Sequence, residues 1–284
     1  MVKSYIPKTY EEALDLLSKN ELVIMAGGTD LMVKKRNWSG LAPKFDAGVL
    51  FVSQLDSLNY IRCENDKIHI GAAVTLEKLL DNETVPEILK KAIRLMASPG
   101  IRHTATLAGN IGNASPAGDS LPVLYILNAK IVLESIEGMN TVDISDFITG
   151  PGSRNMKSSE IIKEIIIDDV EFDYVMYEKV GGRKSDAISK VSFAGAASSE
   201  HGMITDIRLA FGAVAPTIYR DAQFENRFIN TPAGDLRMMT DFIKEHYEPG
   251  INPISDQRST AEYRTTCALN ILGKFLVEAE KRVR

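Results

Sequence analysis

The pattern of apolar and polar positions predicts alternating helices and strands over the first part of the chain. Thr9-Tyr10-Glu11-Glu12 has the spacing of a capping box, and apolar residues follow at helical period from Ala13 to Leu17. This helix is expected to end near Asn20, and the apolar run Leu22-Val23-Ile24-Met25 is expected to form a buried strand. Further strands are predicted at 49–52, 67–70, 130–134 and 164–167, and helices at 75–80, 88–96 and 123–127.

The pattern changes near residue 172, where longer strands joined by tight turns begin. Ala187–Ser199, the Glu200-His201-Gly202 turn and Ile204–Ala213 predict a hairpin. Ser259–Arg282 has the pattern of a long amphipathic helix. The apolar side of this helix is expected to carry Tyr263, Cys267, Ile271, Phe275 and Leu276. We therefore expect two domains, one over residues 1–170 and one over residues 171–284.

Composition and charge narrow the class of protein. A hydrophobic content of 44% and a charged content of 25% are typical of soluble globular chains. The net charge of −5 argues against a nucleic-acid partner, because binding to phosphates requires a basic face. The first residues lack the features of a signal peptide, and no apolar run is long enough to span a membrane. We expect a cytoplasmic protein that does not associate with membranes.

The residues that could carry metal or acid–base chemistry are few and scattered. The two cysteines, Cys63 and Cys267, are too few to ligate an iron–sulfur cluster or a structural zinc ion, and they are expected to be free and mostly buried thiols. The four histidines suggest neither a catalytic triad nor a metal site. We therefore predict no catalytic side chain and no metal ligand on this chain.

A glycine loop directly after the second predicted element is the first candidate binding site. In Met25-Ala26-Gly27-Gly28-Thr29-Asp30-Leu31, adjacent glycines leave the backbone amides uncovered. Successive bare amides can form a concavity for an anion such as a pyrophosphate. The alternative is a tight turn in which Asp30 is an ordinary helix cap. The spacing differs from G-x-G-x-x-G, so a standard Rossmann site is not expected.

A second segment, Thr106–Asp119, is rich in small residues, hydroxyls and amides. Its only charged residue is Asp119, and the stretch from Thr106 to Pro122 is expected to form an ordered loop. Such a composition suits a polar ligand that lies against the backbone, with a carboxylate available for sugar hydroxyls. The alternative is an ordered loop in which Asp119 caps the helix that follows.

These segments, in this order, resemble the FAD-binding subunit of the molybdenum hydroxylases, a family that includes xanthine dehydrogenase and aerobic carbon monoxide dehydrogenase. That family carries an A-G-G-T-D-L-type loop and a T-x-G-G-N-I segment followed by A-S-P-x-x-D. The resemblance extends to three other places in the chain. They are Tyr5-Ile6-Pro7 with Glu11–Leu14, Phe211–Pro216, and Arg258–Arg264 at the start of the last helix. Ala108 departs from the pattern, because the family more often has glycine there, and its methyl group could crowd a phosphate.

The resemblance implies an α+β fold: a vanillyl-alcohol-oxidase-type (PCMH-type) FAD-binding domain in two α+β parts, then a smaller C-terminal α+β domain with an antiparallel sheet. It also implies that FAD lies against the glycine loop and the second segment. Asp119 is expected to reach ribityl or ribose hydroxyls, Ile162 to pack on the cofactor, and Lys179 to lie near the flavin. The alternatives are a core isoleucine and an exposed surface lysine. The implied FAD contacts are Ile24, Met25, Ala26, Gly27, Gly28, Thr29, Asp30, Leu31, Thr106, Leu107, Ala108, Gly109, Asn110, Asp119, Ile162 and Lys179.

The resemblance further implies an oxidoreductase subunit in a hetero-oligomer. A small [2Fe–2S] subunit and a large molybdopterin subunit would hold the molybdenum cofactor and the clusters. Electrons would pass through FAD on this chain to NAD⁺ or another acceptor, and a purine such as xanthine or hypoxanthine is the default substrate of the complex. The alternatives are a self-sufficient flavin-dependent oxidase or reductase on the same fold, and a scaffold subunit without cofactor.

Overall fold

A computed structural model describes residues 2–183 and 186–283 of the chain. Within these residues the chain divides into two compact units. The first contains residues 2–85, 97–114 and 128–169, and the second contains 86–96, 115–127, 170–183 and 186–283. Helices were predicted within 86–96 and 115–127, but the sequence pattern did not indicate that these two segments belong to the second unit. The expected division at residue 170 stays a prediction, because compactness does not test whether either part folds alone.

Helices and strands alternate along the described residues. The strands are β1 (Ser4–Tyr5), β2 (Leu22–Met25), β3 (Gly48–Phe51), β4 (Ile61–Glu64), β5 (Lys67–Gly71), β6 (Lys130–Ser135), β7 (Gly138–Asp143), β8 (Ile148–Gly150), β9 (Ser153–Arg154), β10 (Ile161–Asp168), β11 (Tyr174–Val180), β12 (Val191–Glu200), β13 (Met203–Gly212) and β14 (Tyr219–Arg220). The helices are α1 (Tyr10–Lys19), α2 (Leu31–Lys34), α3 (Leu76–Asp81), α4 (Glu87–Arg94), α5 (Pro99–Arg102), α6 (Leu107–Asn113), α7 (Leu121–Ile126), α8 (Ile144–Phe147), α9 (Ala222–Glu225), α10 (Thr240–Tyr247) and α11 (Ala261–Arg282). Short 3-10 turns lie at Asp56–Leu58, Asn226–Phe228, Ala233–Asp235 and Glu248–Gly250.

The first unit contains a small parallel sheet and a larger antiparallel one. In the parallel sheet the strand order is β1-β3-β2, and the antiparallel sheet has the order β4-β5-β10-β6-β7. Leu14 and Leu17 on the apolar face of α1 belong to the same core cluster as Leu50 of β3 and Val52, which directly follows β3. This core places the carboxyl end of β2, and hence the glycine loop, at one edge of the parallel sheet.

The second unit is an antiparallel sheet, β11-β12-β13-β14, with helices against it. Both α7 and α11 pack on β12, and every side chain of α7 is buried. The last carbonyls of α7 accept hydrogen bonds from arginines of the sheet: Arg208 Nη1 donates to the oxygen of Ile126 at 2.6 Å, and Arg220 Nη1 donates to that of Tyr125. The last carbonyls of a helix lack hydrogen-bond donors within the helix, and here the two arginines supply donors to them.

The sequence correctly predicted the first helix and predicted the buried face of the last one in part. Of the residues expected on the apolar side of α11, Phe275 and Leu276 are buried, and Cys267 and Ile271 are partly buried against the same core. The hydroxyl of Thr9 accepts a hydrogen bond from the Glu12 amide at 3.2 Å, and α1 ends at Lys19. In α11, however, Tyr263 is 45% exposed, and the buried side is shifted by about one residue. Its members are Arg264, Ala268, Leu272, Phe275, Leu276 and Ala279. An apolar pattern could not find the whole of this face, because Arg264 lies on it and donates to the Lys190 carbonyl and the Asp256 carboxylate.

The hairpin of β12 and β13 turns at His201 and Gly202, whose φ angles are +51° and +76°. Positive φ at both central residues is the geometry of a type I′ turn. We expect His201→Val to lower the free energy of unfolding by about 1–2 kcal/mol, because a β-branched residue is disfavoured in the left-handed region. His201→Asn should cause no loss. The His201 side chain is 92% exposed, so urea unfolding of the two variants isolates the backbone effect. Equal stability of the Val and Asn variants would contradict this.

Candidate functional site

The glycine loop runs from the end of β2 to the start of α2, and its two glycines are required for different reasons. Gly28 has a φ of +68°, a conformation that other residues rarely adopt. Gly27 has no positive φ, but a Cβ atom built on it would lie 2.0 Å from the carbonyl oxygen of Thr104. The loop therefore lies directly on the backbone that precedes α6. In the preceding strand β2, Met25 is buried and Leu22, Val23 and Ile24 are half-buried. The strand is therefore present as expected but only partly buried.

Four successive amides of this loop are without an acceptor in the protein. Within the described residues, the main-chain N–H groups of Gly27, Gly28, Thr29 and Asp30 donate no hydrogen bond. Main-chain amides away from bulk water are nearly always paired, and the first three of these residues are half-buried. Successive amides that lack acceptors can form an anion-binding concavity. Asp30 occupies the N-cap position of α2, but its side chain makes no capping hydrogen bond, so the alternative of an ordinary cap holds for its position only.

The first half of the second segment is the helix α6 and not the ordered loop that was expected there. Thr106 is the N-cap of α6: its hydroxyl accepts from the Gly109 amide at 2.9 Å, and its carbonyl accepts from the Asn110 amide at 3.0 Å. Small residues and two glycines hid the helix from the apolar pattern, and the cap is what fixes its start. Ala108 lies in the first turn and is buried. Alanine suits this position, because it favours a helix by about 0.5–1 kcal/mol over glycine.

Several contacts bring these two segments and Ile162 together. Gly27 of the glycine loop lies against Thr104 and Ala105, which directly precede α6. The Ala105 carbonyl also accepts from the Leu76 amide at 2.8 Å, and this bond connects the backbone before α6 to the start of α3. At the other end of α6, Asn113 Nδ2 donates to Asp30 Oδ2 at 3.0 Å. Ile162 on β10 is buried, and its Cδ1 atom lies 3.6 Å from where a Cβ on Gly112 would be. The first unit thus gathers every predicted contact from Ile24 to Asn110, together with Ile162.

The other two predicted residues, Asp119 and Lys179, meet each other inside the second unit. Lys179 Nζ donates to Asp119 Oδ2 at 2.7 Å and to the Leu95 carbonyl at 2.8 Å. Asp119 also accepts from the hydroxyls of Ser189 and, at 3.4 Å, Tyr177. The Lys179 side chain is only 4% exposed, so it is not a surface lysine. Asp119 does not cap α7, since the N-cap position is Ser120 and carries no side-chain cap.

Burial dominates the electrostatics of this ion pair. The pKa of Asp119 is raised above its ordinary value because burial disfavours the charged form, although Lys179 and the hydroxyl donors oppose the rise. The pKa of Tyr177 is raised well above its ordinary value by burial and by the Asp119 charge. Tyr177 is therefore a hydrogen-bond donor at any ordinary pH. The roles of Asp119 and Lys179 toward a cofactor stay predictions.

Sequence reasoning missed Thr104, Asn113, Tyr177 and Ser189. Asn113 lies within the quoted second segment, so its amide could have been considered there. The contribution of Thr104 is a backbone carbonyl, which no side-chain pattern can reveal. Tyr177 and Ser189 reach Asp119 across 58 and 70 residues, and only the sheet topology brings them together.

The remaining candidate chemistry adds no further site. Both cysteines are free thiols. Cys267 is partly buried, but Cys63 is exposed, so the expected burial is wrong for Cys63. Among residues 2–183 and 186–283, no three His, Cys, Asp or Glu side chains are grouped so that they could hold a metal ion. In the same part of the chain, no helix combines the length and the apolar character needed to cross a membrane.

Comparison with known protein families matches both parts of the chain. A family profile described as "FAD binding domain in molybdopterin dehydrogenase" matches residues 1–168. A second, described as "CO dehydrogenase flavoprotein C-terminal domain", matches residues 176–279. Together the two matches cover most of the sequence in the expected order.

Similar proteins are medium or FAD-binding subunits of dehydrogenases. The chain is 29% identical to the glyceraldehyde dehydrogenase medium chain of Sulfolobus acidocaldarius over 269 residues, 92% of each chain. It is 36% identical to the nicotinate dehydrogenase FAD-subunit of Eubacterium barkeri over 199 residues, which are 66% of this chain and 65% of that one. It is 28% identical to the xanthine dehydrogenase FAD-binding subunit of Escherichia coli O157:H7, over 95% of this chain and 93% of that one.

Solved structures confirm the expected fold class. A chain of the reconstituted CO dehydrogenase from Oligotropha carboxidovorans superimposes with a TM-score of 0.89 at 24% identity, covering 99% of this chain and 98% of that one. A chain of quinoline 2-oxidoreductase from Pseudomonas putida 86 superimposes with a TM-score of 0.85 at 20% identity, covering 99% and 97%. At these identities the similarity establishes the fold.

Proposed function

This chain belongs to the family of FAD-binding subunits of molybdenum hydroxylases, and from this premise we propose how its residues hold FAD and what the subunit does. In the proposal, the amides of Gly27, Gly28, Thr29 and Asp30 bind the diphosphate of FAD. The first turn of α6, from Thr106 to Asn110, and Ile162 form the adjoining wall of the site. When bound, FAD supplies the redox chemistry, accepting electrons from [2Fe–2S] clusters on a partner subunit and releasing them to NAD⁺ or another acceptor.

The residues present fit the diphosphate of such a cofactor. A diphosphate carries acceptor oxygens and negative charge, and the loop offers four amide donors in succession. Gly28 and Gly27 leave these donors uncovered by side chains, and the small residues of α6 permit close approach. The observation that carries the proposal is this run of unpaired amides, held against the Thr104 carbonyl by a glycine that admits no Cβ.

Calorimetric titration of the cofactor-free chain tests the binding mode. We expect one FAD to bind per chain, and ADP to compete with it because ADP carries the same diphosphate. FMN lacks the diphosphate and should bind about tenfold more weakly or worse, since charge-assisted hydrogen bonds contribute about 1.5–3 kcal/mol each. Absence of FAD binding, or equal affinity for FAD and FMN, would overturn the proposal.

We also propose that partner subunits hold the other redox groups. The chain has two cysteines, and a [2Fe–2S] cluster commonly requires four, so the clusters and the molybdenum cofactor would lie on a small and a large partner. The names of similar proteins, a "medium chain" and a "FAD-subunit", support this arrangement. NAD⁺ is the proposed acceptor. Purification of the tagged chain from its native source should recover both partners.

The substrate of the complex is proposed to be a purine. Two similar subunits are named for xanthine dehydrogenase and caffeine dehydrogenase, which are named after purines. The FAD-loaded chain alone should be reduced by NADH, and it should not be reduced by xanthine. The intact complex should oxidise xanthine or hypoxanthine. Reduction of the isolated chain by an organic substrate would instead favour a self-sufficient flavin oxidase.

A further inference from the structure

The end of helix α6 is a rigid point beside the glycine loop. Ala114, which follows the helix, is fully buried and adopts the left-handed conformation with a φ of +47°. Its amide donates to the Ile111 carbonyl at 2.9 Å, and its carbonyl accepts from the Gly152 amide at 2.8 Å. These bonds fix the backbone on which Asn113 stands, so the direction of the Asn113 side chain is set by the fold.

The side chain of Asn113 lies between two opposite charges, the carboxylate of Asp30 in the glycine loop and the ammonium of Lys34 in α2. Its Nδ2 donates to Asp30 Oδ2 at 3.0 Å, and its Oδ1 accepts from Lys34 Nζ. An amide has a donor end and an acceptor end, and here each meets the charge that it attracts. Turning the amide over would place its NH₂ against the ammonium and its oxygen against the carboxylate. The contact therefore has one favourable orientation.

This contact completes a two-point attachment of the loop. Gly27 rests on the Thr104 carbonyl before α6 begins, and Asp30 is held by Asn113 where α6 ends. The four unpaired amides lie between these two points. They belong neither to a strand nor to a helix. The Gly28–Thr29 peptide is held through its carbonyl, which accepts from the Met32 amide at 2.8 Å. The alignment of the other three amides depends on how firmly the two ends of the loop are held.

We propose that Asn113 is a positioning residue that pre-orients the amides of Gly27–Asp30 for the diphosphate of FAD. The inference rests on the proposed function and adds a residue that acts on the cofactor through Asp30. The use of the Asp30 carboxylate supports it: that carboxylate makes no cap to α2 and bonds to Asn113 instead. Holding a loop in its bound conformation before the ligand arrives reduces the ordering that binding must otherwise impose.

A double-mutant cycle on Asn113 and Asp30 tests this by FAD titration of the cofactor-free chain. Asn113→Asp sets two carboxylates against each other and should raise the Kd for FAD about tenfold. Combining Asn113→Asp with Asp30→Asn exchanges the amide and the carboxylate, restores the pairing, and should return the Kd to within about threefold of what Asp30→Asn alone gives. Asn140→Asp, on the exposed strand β7, adds the same charge elsewhere and should leave the Kd unchanged.

The rescue assigns the loss to the contact between Asn113 and Asp30, because damage elsewhere in the chain would not be reversed by the second substitution. Thermal melting of each cofactor-free variant identifies any variant that does not fold. If Asn113→Asp does not fold, Asn113→Ser replaces it, because serine removes the amide without adding charge. We expect Asn113→Ser to raise the Kd for FAD about threefold or more. An unchanged Kd in the Asn113 variants, or a weakened Kd that the exchange does not restore, would overturn the inference while FAD binding by the unaltered chain still stands. If the unaltered chain binds no FAD, the proposed function fails first and the inference falls with it.

Discussion

Gly27→Ala is expected to weaken FAD binding roughly 100-fold. The new Cβ would lie 2.0 Å from the Thr104 carbonyl oxygen, 2.6 Å from its carbon and 2.9 Å from the Ala105 Cα. All three are backbone atoms, so no side chain can rotate away to relieve the overlap. Either the glycine loop or the segment before α6 must move, and the movement would misdirect the amides that the loop presents.

Titration of the cofactor-free Gly27→Ala chain with FAD measures this effect. Gly100→Ala is the matched control in the same unit, because a Cβ there meets no atom within 4 Å and the residue lies in helix α5. That variant should bind FAD as the unaltered chain does. Normal FAD affinity in Gly27→Ala would show that the loop does not need its contact with Thr104 to bind the cofactor.

Lys179→Met is expected to destabilise the second unit by about 3–5 kcal/mol, because it leaves a buried carboxylate without its cation. The Lys179 ammonium is held by Asp119 and by the Leu95 carbonyl, and its side chain is 4% exposed. Lys274→Met is the matched control, since Lys274 pairs with Glu178 at 2.6 Å on an exposed surface. Its loss should be below about 1 kcal/mol. Denaturant unfolding of both variants gives the comparison, and similar losses would contradict the assigned burial.

The pH dependence of the Lys179→Met variant provides a second check on the same pair. Burial already raises the pKa of Asp119 in the folded protein, and loss of the cation should raise it further. A carboxyl group with a raised folded pKa keeps its proton where the unfolded chain has lost it. The free energy of unfolding therefore falls as pH rises through that window. The stability lost in Lys179→Met relative to the unaltered chain should become smaller as pH falls toward about 4. At neutral pH, adding Asp119→Asn to this variant should restore most of the lost free energy of unfolding.

The sequence was most informative where local chemistry decides the structure. The caps at Thr9 and Thr75, the strand before the glycine loop and the turn at His201 follow from short patterns, and each is present. The helical nature of 107–113 did not follow, because alanine, glycine and asparagine give no apolar period there. Its start is fixed by one threonine hydroxyl instead.

Contacts between distant segments were beyond the sequence pattern. Whether Lys179 is exposed or buried depends on a partner 60 residues away, and a period-two strand pattern cannot distinguish the two. Asp119 was singled out correctly as unusual, since it is the only charge in its segment, but its bond to Lys179 required the fold. The buried face of α11 was misjudged in part because Arg264, a charged residue, belongs to it.

The passage of residues 115–127 into the second unit has a consequence for synthesis and for fragments of the chain. Helix α7 is synthesised roughly 70 residues before the strand β12 on which it packs. The apolar surface of α7 is therefore exposed until β12 has been synthesised. A polypeptide that begins at residue 171 lacks this helix altogether. Its sheet would lack the cover that α7 gives to β12 and β13, and we expect such a fragment to aggregate unless a peptide spanning 115–127 is supplied.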